Sequence, residues 1–291
     1  PTRPGLVSRL LLLSDGLANV GPSSPGELGR YGAALVKEGV SVSTIGVGSD
    51  YNEDLMISLA QNSDGNFYFV ENSRDLALIF EKELNSALAV AAQRVRIRIQ
   101  CPPGITPRGI LGHQCRIDGQ VLEIDFNQIY AGHDKVLILQ FDLPAGEDGL
   151  TLNLADFQVE YLTGEAKAAP PVTGRIAVAF AADASRVRAA LDKEVSGSVA
   201  LQQAALLREE AIRAADAGDF DAGTQQMRQA QKLLESNAAL TQDAAVAEAA
   251  ERQKTAVSKF EPASPEVYNR QRKEIRGSNY QEQNSQIFKQ R

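Results

Sequence analysis

Cysteine and histidine are nearly absent from this 291-residue chain, which holds two of each: Cys101, Cys115, His113 and His133. Two cysteines make no disulfide framework; one bridge is allowed, none is required, and the redox compartment stays open. A soft-metal site from these four residues is conceivable, but their spacings match no compact zinc pattern and no closely spaced cysteine pair occurs, so ordinary strand and loop positions are expected. Also lacking is any apolar run long enough to span a membrane, and no charged leader with an apolar core and cleavage site is seen. A cytoplasmic chain is expected; an extracytoplasmic one is the alternative, because the chain begins at Pro1 without an initiator methionine. Positive charge is not in excess either. The formal charge of -7 gives no electrostatic reason to expect nucleic-acid binding. What is present is 43% hydrophobic content, ample for a core and for more than one domain.

Four consecutive leucines, Leu10, Leu11, Leu12 and Leu13, lead into Ser14-Asp15-Gly16. An unbroken apolar run closed by a turn suits a strand buried on both faces of a parallel sheet. Ligands of open α/β sheets bind beyond the carboxyl ends of such strands, so Asp15 is a candidate for chemistry or binding. Residues 5–92 alternate strand and helix signals. A loop over 17–26 precedes a helix with Leu28, Tyr31, Ala34 and Leu35 as its apolar positions, ended by Gly39. The strand 40–45 runs into Gly46-Val47-Gly48; Asn52, Glu53 and Asp54 then supply capping and acidic residues for the next helix. A strand at 66–70 follows, and a helix begins at 72–75 with Leu76, Ile79, Phe80 and Leu84 on one face.

Near residue 93 the period changes to two. Arg94, Arg96 and Arg98 alternate with Val95, Ile97 and Ile99, the pattern of a half-buried antiparallel strand with one cationic face. Short strands at 121–126, 136–143, 150–154, 157–161 and 176–180 argue for a β-sandwich-like module over 93–182. From about Asp183 the composition turns helical. Ala200, Ala204, Leu207, Ala211 and Ala214 form a narrow seam, Met227, Ala230 and Leu234 face inward on a second helix, and Val246, Ala250, Val257 and Phe260 on a third, giving a helical hairpin or bundle over 183–262. The segment 214–230 is reminiscent of one tetratricopeptide-like hairpin. The polar stretch 263–291, with Arg270, Arg272, Lys273 and Arg276, predicts a poorly ordered tail or a short docking helix.

The motif at 10–21 and the stretch Gly39 to Gly48, followed by Asn52-Glu53-Asp54-Leu55 and Gly65-Asn66-Phe67-Tyr68-Phe69-Val70, resemble the second half of a von Willebrand factor A domain. The likeness is strongest to bacterial proteins in which a β-rich module and a helical end follow. It implies a fold of α/β class, a partial Rossmann-like sheet over 1–92, joined to an all-β sandwich-like module and a C-terminal α-helical segment. In that family the sheet end carries a magnesium-dependent adhesion site built from an Asp-x-Ser-x-Ser loop, a distant Thr and the Asp of the Ser-Asp-Gly turn. Asp15 matches the last of these. The other ligands belong to strands that would precede residue 1, and Ser23-Ser24 lies on the wrong side of Asp15 to replace them. The resemblance therefore predicts about half of such a domain, with three strands absent and the Mg site incomplete, so that Asp15 alone binds the ion weakly or not at all. An edge strand at Leu10 to Leu13, left without neighbours, would invite self-association.

The function that the resemblance implies is non-enzymatic: protein–protein interaction or adhesion, with a carboxylate from the partner completing the magnesium shell. A structural scaffold docking through its helical arm without metal is the alternative. A nucleotide-binding enzyme is a remote one, since Gly46-Val47-Gly48 lacks a third glycine and the acidic residue expected after the next strand. A hydrolytic triad on Ser14-Asp15 finds no histidine in the α/β half. The Arg94, Arg96 and Arg98 face is read as solvated and paired with acids such as Glu123 and Asp125, with an anionic docking surface as its functional alternative.

Overall fold

A computed structural model describes all residues except 1–7, 18–20, 72, 164, 261–263, 285–286 and 289–291. The α/β unit comprises β1 (Ser8–Ser14), α1 (Pro25–Lys37), β2 (Val40–Val47), α2 (Glu53–Asn62), β3 (Phe67–Val70) and α3 (Leu76–Leu88). The strands pair in parallel in the order β1-β2-β3. Residues 18–20 of the Ser-Asp-Gly motif and Asn72 lie outside the described residues.

Alternation along β2 decides which helix covers which face. Thr44 donates its hydroxyl to the Met56 carbonyl of α2 at 2.9 Å, whereas Ser43 on the opposite face donates to Glu83 of α3 at 2.8 Å. Two expectations are corrected here. β1 is not buried on both faces: as an edge strand it leaves Leu10 48%, Leu12 36% and Leu13 43% exposed. In α1, Tyr31 and Ala34 face solvent and the buried positions are Gly29 and Gly32, because α2 approaches so closely that a Cβ on Gly32 would lie 2.8 Å from the Leu59 carbonyl oxygen.

The β module follows with β4 (Val90–Gln100), β5 (Thr106–Ile110), β6 (Arg116–Asp118), β7 (Val121–Tyr130), β8 (His133–Asp134), β9 (Leu139–Asp142), β10 (Thr151–Thr163) and β11 (Val172–Ala179). An antiparallel sheet, β11-β10-β4-β7-β6, is covered by the β5-β9 ribbon, and Val95, Ile99, Ile105, Ile110, Leu122, Ile124 and Phe126 fill the space between. The two strands expected over 150–161 are one continuous strand, β10, with a bulge between Asn153 and Ala155 absorbing the break in alternation.

The helices are α4 (Ala184–Ala189), α5 (Lys193–Asp216), α6 (Phe220–Thr241), α7 (Ala244–Phe260) and α8 (Pro265–Asn284), followed by β12 (Ile287–Phe288), which pairs with β8. Ala200, Ala204, Ala211, Met227, Ala230 and Leu234 are buried, as their spacing predicts. The polar segment, expected as a poorly ordered tail or a short docking helix, forms the 20-residue helix α8 through Asn284, packed on α5, α2 and β3. Among the described residues no helix is long and apolar enough to cross a membrane.

The α/β unit and β module meet at the turn after α2. Asp64, at φ 51°, accepts the backbone N–H groups of Asn127 at 2.6 Å and Gln128 at 3.3 Å, and Lys135 Nζ at 3.1 Å. His113 borders the same junction, edge-on to Phe126, with its Nε2 unpartnered among the described residues. Burial, with Lys135 adding to it and Asp64 opposing, pushes its pKa from the ordinary 6.5 down to about 4. The folded chain thus disfavours the imidazolium that the unfolded chain accepts. The stability from keeping His113 neutral is complete above pH 6.5 and is lost as pH falls towards 4, up to about 3 kcal/mol in all. Thermal midpoints measured across this window should fall more steeply for the native chain than for His113→Gln. Parallel curves for the two would show that His113 contributes nothing to acid sensitivity.

Candidate functional site

Asp15 lies exposed immediately beyond the carboxyl end of β1, next to Ser14, whose hydroxyl donates to the Gly16 carbonyl at 3.0 Å and closes the turn. At the same end of the sheet, Gly48 to Asp50 leave β2, Glu71 leaves β3, and α2 begins. Asn52 caps α2 by accepting the N–H groups of Asp54 at 3.0 Å and Leu55 at 3.3 Å. The first turns of α8 close over this end and leave a cleft of about 520 Å³ between Gly48, Asp50, Phe69, Glu71, Arg270 and Lys273.

The residues present do not fit a magnesium centre. Mg²⁺ takes about six oxygen ligands in strict octahedral geometry. Asp15 offers one carboxylate, the Ser14 hydroxyl is turned to a backbone carbonyl, and no group of three His, Cys, Asp or Glu side chains converges among the described residues. Ser24 is engaged as the N-cap of α1 in a reciprocal capping box with Glu27. The Gly46-Val47-Gly48 segment is no phosphate cradle, since the Tyr51 ring occupies the space over Gly46, where a Cβ would fall 2.1 Å from the ring. Cys101 and Cys115 are free thiols, the first buried in the β-module core, where desolvation raises its pKa. His133 lies edge-on to Tyr130 with Nδ1 3.1 Å from the Ala131 carbonyl.

On β4 the cationic face is matched by β7. Arg96 pairs with Asp125 at 2.8 Å and Arg98 with Glu123 at 3.2 Å, and Arg116 of β6 also reaches Glu123 at 2.5 Å. Exposed pairs of this kind contribute about 0–1 kcal/mol each. Their effect is to cancel the field an anionic partner would need. Arg94 departs from the alternation, with a left-handed backbone at φ 50°.

Two buried carboxylates organise the neighbourhood of the site. Glu83 of α3, 1% exposed, accepts from Arg9 of β1 at 2.8 Å, Ser43 of β2 at 2.8 Å, and Asn66 and Tyr68 at 2.7 Å each. Arg9 continues to the Tyr130 hydroxyl on β7. Burial, reinforced by the Glu83 carboxylate, holds the Tyr68 pKa well above its usual value, so the phenol remains a donor. Glu53, at the start of α2, receives Lys273 Nζ at 2.6 Å and the Arg272 guanidinium from α8. The sequence reading assigned no role to Glu83 or the buried Arg208 and took Glu53 only as an acidic residue of a helix start. The recurrence of Arg272, Lys273, Arg276 and Tyr280 on one helical face was the available signal for α8.

Residues 1–82 match the family model of the von Willebrand factor type A domain. The uncharacterized protein YfbK of Escherichia coli (strain K12) is 30% identical over 114 residues, which are 38% of this chain and 20% of that protein. Among solved structures, the von Willebrand factor type A protein from Catenulispora acidiphila superposes with a TM-score of 0.71 at 15% identity, covering 97% of this chain and 66% of that one. The ArnB paralog VWA2 from Sulfolobus acidocaldarius gives a TM-score of 0.53 at 19% identity, covering 93% and 64%. These structures share the fold, and the present chain spans slightly less than two thirds of each. The match to YfbK covers one fifth of that relative.

Asp15 and Glu83 should separate cleanly in stability measurements. Asp15→Ala is expected to change unfolding free energy by less than about 0.5 kcal/mol. Glu83→Ala, which leaves Arg9 buried without its carboxylate, should cost about 3–5 kcal/mol in denaturant titration. A destabilising Asp15→Ala would show that this carboxylate serves the fold and is not reserved for a ligand.

Proposed function

We propose that this chain is a non-enzymatic protein-interaction module that presents the carboxyl end of its parallel sheet to a protein partner. The resemblance would make Asp15 one ligand of a magnesium-dependent contact, which the described residues do not complete by themselves. The observation that carries this is the position of Asp15, exposed at the strand end within the segment matched by the von Willebrand factor type A family. A partner carboxylate suits the open coordination position of such a site. Both histidines belong to the β module and border the α/β unit at Asp64 and Gly65, before β3 begins, whereas Ser14 and Asp15 lie at the carboxyl end of the sheet. The scaffold alternative, docking through a basic C-terminal arm, is disfavoured because Arg272, Lys273 and Arg276 are engaged inside the molecule.

A second contact is carried by the free edge of β1. Unpaired strand edges with exposed apolar side chains associate with other strands, and Leu10 and Leu12 project from this one. We infer self-association through it.

In a longer chain that supplies the remaining ligands, capture of a protein partner should require Mg²⁺ and fall at least about tenfold, some 1.4 kcal/mol, with EDTA and with Asp15→Ala. Capture indifferent to both treatments overturns the metal-dependent contact. Light scattering at tens of micromolar chain should show dimers or larger species, reduced by Leu12→Lys. A monodisperse native monomer under the same conditions overturns the edge contact.

A further inference from the structure

α8 occupies the other edge of the sheet, and it does so with polar groups. Among the described residues no strand pairs with the outer side of β3. Asn66 directs its carbonyl inward to Thr44 N–H at 2.7 Å, so by strand alternation the carbonyls of Gly65 and Phe67 point outward. Both are taken by α8: the Tyr280 hydroxyl donates to Gly65 O at 2.7 Å and Gln281 Nε2 to Phe67 O at 2.5 Å. Gly277 lets the helix lie this close, since a Cβ there would stand 3.3 Å from Phe69 Cβ. The helix thereby covers the edge as a further strand would.

Charge dominates the hold. Lys273 Nζ reaches Tyr51 O at 2.8 Å and Glu53 at 2.6 Å; Arg272 reaches Glu53, Asp54 at 3.1 Å and Asp216 at 3.0 Å; Arg276 pairs with Asp54 and lies 3.7 Å from Glu209. Arg270 bridges to Glu71 at 2.8 Å on the exposed rim. The buried apolar contribution of α8 is confined to Tyr268, Ile275 and Tyr280. Ion pairs taken out of water return in attraction little more than their desolvation costs, so such an interface is specific without being strongly adhesive. Burial pushes Lys273 down to about 8, with Arg272 adding to it, which is the mark of that desolvation.

We propose that α8 is a releasable strap: a helix clasped by its basic residues to the acidic N-terminus of α2, which covers the outer edge of β3 and one wall of the cleft at the carboxyl end of the sheet. Releasing it uncovers the Gly65 and Phe67 carbonyls and the aromatic floor of Phe67 and Phe69. The strap stands independently of Asp15 and magnesium, because it is read by exchange and not by partner capture.

Hydrogen exchange of the full chain tests this. In Arg272→Glu, exchange should rise about tenfold or more in α8 and in peptides covering 64–71, with β2 and β7 unchanged, as a local opening requires. Raising salt should have the same, smaller effect on the native chain. Arg272→Lys, which keeps a cation opposite Glu53, Asp54 and Asp216, should raise exchange far less than Arg272→Glu. A disulfide between Phe69→Cys and Gly277→Cys, whose Cβ atoms are close to bonding range, should suppress the opening. Exchange that rises equally in β2 and β7, or does not rise in α8, overturns the strap and makes α8 a fixed part of the core.

Discussion

The carboxylate of Glu83 is the constraint on which the α/β unit depends. It sits out of water on α3 and takes one hydrogen bond from β1, one from β2 and two from the β3 segment. A charge so placed is tolerable only while its donors remain in position. Each donor in turn fixes a strand: Arg9 fixes β1, Ser43 fixes β2, and Asn66 with Tyr68 fixes β3. Because Arg9 also reaches Tyr130, the same carboxylate sets where β7 approaches the sheet. The face of β2 towards α3 accordingly buries Ser41 and Ser43 beside Ile45, polar residues where a purely apolar core would place valine.

Glu53 repeats the device on the opposite face. It lies at the N-terminus of α2, where the helix dipole already favours an anion, and it draws in Lys273 and Arg272 from a helix more than two hundred residues away in sequence. Arg208 extends the network into the bundle, donating to Asn279 at 2.6 Å and Gln253 at 3.2 Å and pairing with Glu282. The helical segment is therefore joined to the sheet by directional polar bonds. Such bonds define one docking geometry, because any rotation of α8 leaves a buried charge unmatched.

These features decide what could be read from sequence. Strands and helices whose buried faces are apolar were legible: the alternation of β4, the Arg96–Asp125 and Arg98–Glu123 pairs, the seam of α5 and the inward row of α6 all follow from periodicity and opposite charge. β1 was legible as a strand, but its burial was not, since four leucines read the same at the centre of a sheet as at an edge. α1 misled because its contact surface is made of Gly29 and Gly32, residues with no side chain to mark a face. For α8, expected as a loose tail or a short docking helix, the length and the buried face were not legible. Its buried face is Arg, Lys, Asn and Tyr, and hydrophobic periodicity is blind to a face that is charged. At the site, Asp15 was placed at a strand end, while Glu53 was read only as an acid of a helix start and Glu83 drew no reading.

The sheet's two edges are finished in opposite ways, and this gives the molecule a polarity. On the β3 side, side chains of α8 satisfy the outward carbonyls and bury Tyr280 against Phe67, ring centroids 5.9 Å apart. On the β1 side, among the described residues, the strand has no outer neighbour and three leucines are exposed. Asp15 stands at the end of the open strand, and the cleft under α8 stands at the end of the covered one. Among the described residues the carboxyl end thus carries an apolar edge and the exposed Asp15 carboxylate on one side, and a charged helix held by ion pairs on the other. The first side favours adhesion through burial, which salt strengthens slightly; the second yields to salt and to competing charge. A ligand large enough to span both would feel the two tendencies oppose each other as ionic strength rises.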